Sequence, residues 1–332
     1  MRAHPGNWNY GILPTTAPLY LTHHMPMSKV VVTGADGFVG RVLCELLGSA
    51  GHQVMPLTRA QFVLGERQTA NPSLESAIRE ARAVIHLAAR AHVTREAHDD
   101  PLGEFRRVNL HGALAVAELA ARAGVARFVF VSSIGVLGNA SGGRIFTESD
   151  APSPAEPYAV SKWEAEQGLR ILAKSSALQI VVVRPPLTYG PHVKGNFLRL
   201  LRLVESGVPL PFGSVRNSRS YIGVHNLCEF LILCAFHPSA NGRTFNVSDG
   251  EDLSTPELLQ LMAAAMGKKA RLFRCPAPLL RAAAIVLHKR TELDRLTANL
   301  RVDSSLARTA LDWRPAVDLR TGIAEMVRSF VG

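Results

Sequence analysis

Tyr158 and Lys162 stand four residues apart in Tyr158-Ala159-Val160-Ser161-Lys162, which on a helix puts a phenol and an ammonium on one face, one turn apart. Held close, the ammonium favours the phenolate and draws the phenol down from about 10 toward the working range of an acid or base. Upstream, Arg127-Phe128-Val129-Phe130-Val131-Ser132-Ser133 has the pattern of a buried parallel strand ending in hydroxyls. Open α/β sheets bind ligands at that carboxyl edge, so Ser133 can hydrogen-bond a substrate oxygen.

A second constellation precedes these residues. Lys29-Val30-Val31-Val32-Thr33-Gly34-Ala35-Asp36-Gly37-Phe38-Val39-Gly40 is an apolar run that breaks into three glycines at three-residue spacing and then into a helical pattern. Gly34 permits the tight turn, Gly37 lets backbone approach a pyrophosphate, and Gly40 lets the helix pack close on the strand. The N–H groups of the first helical turn face the anion, so Asp36, Phe38 and Val39 join the three glycines as cofactor contacts. No Lys-Ser/Thr pair follows Gly40, which argues against a Walker-type triphosphate loop.

Cofactor choice turns on the end of the second strand, Val54-Met55-Pro56-Leu57-Thr58-Arg59. Thr58 holds the place of the acid that accepts a ribose 2′-hydroxyl in NAD-selective chains. Arg59 follows, and its planar fork suits a 2′-phosphate. NADP(H) is therefore favoured, with NAD(H) the alternative if Arg59 stacks on adenine instead.

These motifs need a scaffold, and the apolar segments alternate as an α/β, doubly wound parallel sheet should. Val39 to Ala50 is predicted as a helix, His52 to Leu57 as a strand, Ser73 to Arg82 as a helix and Ala83 to Leu87 as a strand. A long helix over Leu102 to Ala123, a strand over Phe128 to Val131, the Tyr158 helix and a strand over Ile180 to Arg184 follow. The intervening stretch from Gly138 to Pro157, rich in glycine and proline, is expected to lie over the site. Residues 27–190 thus form a dinucleotide-binding domain and 191–332 mainly a smaller substrate lobe, with 224–248 returning to the main sheet. Ala282 to Leu287 is apolar but short, which predicts a core helix and not a membrane span.

The glycine turn, strand-end Ser133 and Tyr158-x-x-x-Lys162, in that order, resemble the extended short-chain dehydrogenase/reductases (extended SDR), and within them the NAD-dependent epimerase/dehydratase family acting on nucleotide sugars. The likeness runs from Ser28 to the end of the chain. It includes Val84-Ile85-His86-Leu87-Ala88-Ala89, Val108-Asn109-Leu110-His111-Gly112 and Arg184-Pro185-Pro186-Leu187-Thr188-Tyr189-Gly190-Pro191. Asn196-Phe197, Arg219-Ser220-Tyr221-Ile222-Gly223-Val224-His225-Asn226 and Leu311-Asp312-Trp313-Arg314-Pro315 continue it. The resemblance implies a Rossmann fold with a C-terminal substrate lobe, a catalytic set of Ser133, Tyr158 and Lys162, and Asn109 in support. It also implies cofactor contacts at Leu87, Ala88, Ala89 and Pro185 as well as at Tyr158 and Lys162, and a substrate diphosphate held by Asn196 and Arg219. Members are often homodimers through helices such as Leu102 to Ala123 and Trp163 to Ala173.

Within the family the likeness points to bacterial oxidoreductases that reduce UDP-4-keto-6-deoxy-N-acetylhexosamines for surface-polysaccharide biosynthesis. Sugar 4,6-dehydratases of the family carry an adjacent Asp-Glu pair just after the catalytic hydroxyl. Ile134-Gly135 stands there instead, and neither residue can move a proton. Two reactions remain: reduction by an exchangeable NADPH, and 4-epimerisation on a tightly held NAD, as in UDP-glucose 4-epimerase-like proteins. The missing acid at Thr58 tilts the expectation to reduction. A non-catalytic sensor or scaffold is the reading from another class, but such proteins typically lose the Tyr or the Lys, and both are present here.

Composition fits an enzyme of this kind. The 332 residues suffice for one large α/β unit and a smaller lobe. The 37 Lys and Arg against 27 Asp and Glu, net +10, are scattered without a basic run or interleaved aromatics, which argues against nucleic acid. Cys44, Cys228, Cys234 and Cys275 lack C-x-x-C spacing, sit in apolar surroundings and are expected as reduced core thiols of a cytoplasmic protein. Residues 1–26, rich in proline, are expected to be a disordered tail or an extension from a start codon placed too early. His23-His24 is too short a pair for a metal site, and no metal is expected.

Overall fold

Short runs of β-branched and aromatic residues, with polar residues only at their ends, build central strands that must be covered on both faces. A computed structural model describes residues 27–58, 72–91 and 100–332, so the expectations for residues 1–26 and for Arg59 lie outside the described residues. Its strands are β1 (Lys29–Thr33), β2 (Gln53–Leu57), β3 (Ala83–His86), β4 (Arg127–Val131), β5 (Gln179–Arg184), β6 (Leu187–Tyr189), β7 (Arg219–Gly223), β8 (Thr244–Asn246) and β9 (Asp252–Leu253). The helices of the first half are α1 (Phe38–Ser49), α2 (Pro72–Ile78), α3 (Pro101–Phe105), α4 (Gly112–Arg122) and α5 (Pro157–Lys174). Those of the second half are α6 (Asn196–Glu205), α7 (Val224–Phe236), α8 (Thr255–Ala265), α9 (Ala277–Val286), α10 (Arg290–Thr297), α11 (Ser305–Leu311) and α12 (Leu319–Val331).

Six strands form one parallel sheet in the order β2-β1-β3-β4-β5-β8, and β6-β7-β9 form a separate small sheet. Successive side chains of a strand point to opposite faces, and the two cores divide accordingly. Val30, Val32, Ile85, Val129 and Val183 lie in the core shared with α1, α7 and Trp313. Val31, Val84, Phe128, Phe130 and Val182 lie in the core shared with α2, α4 and α5. From β1 the sheet is extended one way by β2 and the other way by β3, which makes the carboxyl end of β1 the switch point where such sheets bind ligands. A third core, around Phe197, Leu201, Tyr221, Leu259 and Met262, organises the lobe.

Two expectations are corrected. The helix anticipated as continuous from Leu102 to Ala123 is interrupted by a π-helical turn, Arg106–His111, between α3 and α4. Such a turn is a local bulge in the helical ladder, and here it carries the buried Asn109. The helix expected in the core near Ala282 is α9, and it lies on the surface: only Ala284 of its residues is buried. Apolar content alone does not say which way a short helix faces.

Candidate active site

The glycine turn begins where β1 ends. Gly34 adopts φ +70°, and its N–H and that of Ala35 both donate to the Leu57 carbonyl at the end of β2, at 2.9 and 3.2 Å. A Cβ on Gly34 would sit 2.9 Å from the Ala88 amide nitrogen, and one on Gly40 would drive into the Gly34 carbonyl oxygen. These are the close approaches that require glycine. Thr33 knits the turn to the neighbouring strand end: its Oγ1 accepts from the Ala88 N–H at 3.2 Å and lies 3.0 Å from His86 Nδ1. Asp36 contributes its carbonyl, which accepts from Arg41 Nε at 3.1 Å.

Whether this turn fits a pyrophosphate can be tested on its own geometry. α1 starts at Phe38 behind Gly37, and among the described residues no side chain caps it, which leaves the N–H groups of its first turn to face an anion. A Cβ on Gly37 would meet only the Gly34 carbonyl, at 3.1 Å, so the glycine leaves the outer side of the turn open. The residues present suit a dinucleotide.

Ser133 ends the strand segment of β4 and caps the 3₁₀ turn Ile134–Val136, its Oγ accepting from the Gly135 N–H at 3.1 Å. An N–H acceptor role leaves the hydroxyl proton available to another oxygen. The Ile134 N–H donates to the Pro185 carbonyl at 3.0 Å, which joins the ends of β4 and β5. One residue back, Ser132 Oγ donates to Glu166 Oε1 at 2.6 Å, and Glu166 receives both Nε and Nη2 of Arg184 at 2.9 and 2.6 Å. All three of these side chains are buried.

Tyr158 opens α5 behind Pro157 at the first helical position, where a proline costs no hydrogen bond. Its ring is half-buried and meets Phe105 edge-on at 6.0 Å. Asn109, fully buried on the π turn, donates to Ser161 Oγ at 3.0 Å, and Ser161 donates to the Tyr158 carbonyl at 2.7 Å. The same Asn109 side chain pairs with the Arg90 backbone in both directions, at 2.8 and 3.2 Å, fixing the loop behind Leu87-Ala88-Ala89. Lys162, buried beneath, donates to the Val131 carbonyl at 2.8 Å and sits 4.5 Å from the centre of the Phe130 ring.

The electrostatics correct one expectation. Burial pushes the Tyr158 phenol up to about 12 rather than down. Burial likewise lowers the Lys162 ammonium from its ordinary 10.5 to about 7, with Glu166 one turn on opposing the shift. The folded state therefore binds this proton less readily than the unfolded chain between those two values, and stability rises with pH across that window. Lys162→Met should consequently show its most favourable melting temperature relative to wild type at and below about pH 7, with the advantage fading toward pH 10.5. A melting difference that stays flat over this range would contradict the buried, displaced ammonium.

In the lobe, Asn196 is exposed as the first residue of α6. Arg219 starts β7, half-buried, with Nη1 donating to the Ala298 carbonyl at 2.9 Å and a side-chain hydrogen bond to Tyr221. Burial lowers its guanidinium, and it takes part in none of the ion pairs among the described residues. The fold thus gathers Gly34 to Gly40, Leu87 to Ala89, Ser133, Pro185, Tyr158, Lys162 and Asn109 around one edge of the sheet, while Asn196 and Arg219 belong to the lobe.

Comparison with known proteins decides what this edge belongs to. Residues 30–248 match the model of the NAD dependent epimerase/dehydratase family. The chain belongs to the NAD-dependent epimerase/dehydratase family. Similar relatives include a UDP-glucose 4-epimerase of Vibrio cholerae, 36% identical over 318 residues that cover 92% of this chain and 96% of that protein. A GDP-6-deoxy-D-mannose reductase of Pseudomonas aeruginosa is 28% identical over 76% of this chain and 85% of its own length. Among solved structures, a Thermus thermophilus UDP-glucose 4-epimerase in complex with NAD superimposes with a TM-score of 0.70 at 27% identity, covering 92% of this chain and 99% of that one. The protein is accordingly an NAD(P)-dependent enzyme of the extended short-chain dehydrogenase/reductase type.

The motifs of the sequence do not single out the Ser161 hydroxyl, the Ser132–Glu166–Arg184 network or the Thr33–His86 pair. Ser161 did carry a signal: three residues after Tyr158 on a helix, its hydroxyl reaches back to the Tyr158 carbonyl. Glu166, one turn past Lys162, continues the same helical face. The Arg184 partnership is a contact between α5 and the end of β5 that only packing creates.

Proposed function

We propose that this enzyme reduces the C4 ketone of a UDP-4-keto-6-deoxy-N-acetylhexosamine with NADP(H), in the synthesis of a surface polysaccharide. The observation that carries the reading is the Ser133 to Val136 turn. It offers one hydroxyl followed by Ile134 and Gly135, and so has no acid and base for eliminating water from the sugar. Hydride exchange at C4 is what remains within the family.

NADP(H), when bound, supplies the hydride. Tyr158, a phenol that stays protonated at neutral pH and is pushed further up by burial, donates its proton to the alkoxide that forms at C4. Ser133 turns its hydroxyl proton to the same oxygen while its own oxygen stays tied to the Gly135 N–H. The Lys162 ammonium favours the phenolate left behind and suits the ribose hydroxyls of the cofactor. Asn109, acting through Ser161, holds the start of the catalytic helix. Arg219, a half-buried guanidinium outside the ion pairs among the described residues, and Asn196 suit the substrate's diphosphate. Preference for NADP(H) rests on Thr58-Arg59.

Epimerisation at C4 is the second reading, and the Vibrio cholerae relative favours it. Cofactor stoichiometry separates the two. With the 4-keto sugar, absorbance of NADPH should fall by one equivalent per sugar, faster than that of NADH, and a 4-hydroxy product should appear. Conversion of UDP-glucose to its 4-epimer with no added cofactor and no net absorbance change would replace the reductase reading by the epimerase.

A further inference from the structure

Helix α9 presents its apolar side outward. Leu279, Ala282, Ala283 and Val286 follow the i, i+3, i+4, i+7 rule that places residues on one face, and all four are exposed, Leu279 at 63% and Val286 at 75%. Ile285 and Leu287 widen the stripe and Phe273 stands exposed ahead of it. The opposite side holds the helix on the lobe through Leu280 and Ala284. A continuous exposed apolar surface of this kind marks a contact with something outside the chain.

Charge says what that is. Between Glu257 and Glu292 the chain has seven Lys and Arg residues and no carboxylate. Lys268, Lys269, Arg271, Arg274, Arg281 and Lys289 are exposed, and none of them takes part in an ion pair among the described residues. A symmetric contact with a second copy would set Arg274, Arg281 and Lys289 against an equally basic face. A bilayer bearing anionic headgroups offers both halves of the complement: acyl chains for Leu279, Val286 and Ile285, and phosphates for the surrounding cations.

We propose that α9 and the basic segment around it dock the enzyme on an anionic membrane surface, with the helix lying in the interface. Among the described residues no helix is long and apolar enough to cross a membrane, and α9 with its 10 residues lies on the bilayer and does not span it. The docked face belongs to the part of the lobe that touches the catalytic helix. The next helix, α10, carries Arg295, which pairs at 2.6 Å with Glu156, the residue before Pro157 and Tyr158.

Co-sedimentation of the full chain with vesicles tests this. With equimolar phosphatidylcholine and phosphatidylglycerol at low salt the protein should pellet, and about 0.5 M NaCl should release most of it. With phosphatidylcholine alone it should stay in the supernatant. Leu279→Ser/Val286→Ser and Arg274→Glu/Arg281→Glu/Lys289→Glu should each weaken vesicle binding by roughly tenfold or more. Both should keep the wild-type melting temperature and activity in solution, because the altered side chains are exposed and make none of the hydrogen bonds or ion pairs described at the site. Vesicle binding equal in wild type and both variants would overturn the proposal, as would no preference for phosphatidylglycerol. Self-association in sedimentation equilibrium that Leu279→Ser/Val286→Ser abolishes, without vesicle binding, would assign the face to a second copy instead.

Discussion

Tyr158→Phe should lower turnover by roughly 10² to 10⁴ while leaving cofactor affinity and folding intact. The substitution deletes one hydroxyl. The ring keeps its edge contact with Phe105, and the backbone carbonyl that accepts from Ser161 is untouched. What disappears is the proton for the C4 oxygen. A phenol at about 12 is protonated throughout the neutral range, so reduction should show no loss of rate from Tyr158 ionisation between about pH 6 and 9. That state matches the reductive direction, which needs an acid first. Turnover measured at saturating cofactor, together with nucleotide fluorescence titration, separates catalysis from binding. Near wild-type turnover with phenylalanine in place would remove Tyr158 from the mechanism.

Glu166→Ala should destabilise the fold by about 3–5 kcal/mol, the expected cost of leaving a buried charge without its partner. Arg184 would lose two hydrogen bonds to the carboxylate and Ser132 its acceptor, with the guanidinium still buried. Replacing both members, as Glu166→Leu/Arg184→Met, should cost far less, because it removes the desolvated charges together. Urea unfolding of the three proteins gives the comparison through their midpoints and slopes. A Glu166→Ala midpoint within experimental scatter of wild type would show that the pair contributes nothing to the folded state. Since Ser132 precedes Ser133, the single variant should also displace the Ser133 hydroxyl, and on the proposed mechanism any fully folded fraction should turn over slowly.

The order in which chain elements became legible follows the range of the forces that build them. The three glycines, the strand runs and the Tyr158-Lys162 spacing are local patterns, set by Cβ sterics, two-residue alternation and one helical turn, and a sequence displays them directly. The doubly wound sheet follows from those, since strands with apolar interiors on both faces require helices on both faces. The Asn109 side chain was identified by resemblance, but its work was not visible: the π turn, the bond to Ser161 and the two bonds to Arg90 appear only when α3, α5 and the β3 loop are packed together.

The direction of the Tyr158 shift was likewise a tertiary matter. Spacing brings an ammonium near, yet the protein around the phenol withholds water from the phenolate, and Lys162 spends its hydrogen bond on the Val131 carbonyl. Helix α9 makes the same point from outside. Its composition is that of a core helix, and its period is that of an amphipathic one, but neither records which face meets the lobe. Local pattern along the chain specifies the glycine turn after β1, the Tyr158-Lys162 spacing and the parallel sheet that carries them. Burial, pairing across elements and the facing of α9 were decided by the tertiary structure, because desolvation and contact depend on neighbours brought together from distant parts of the chain.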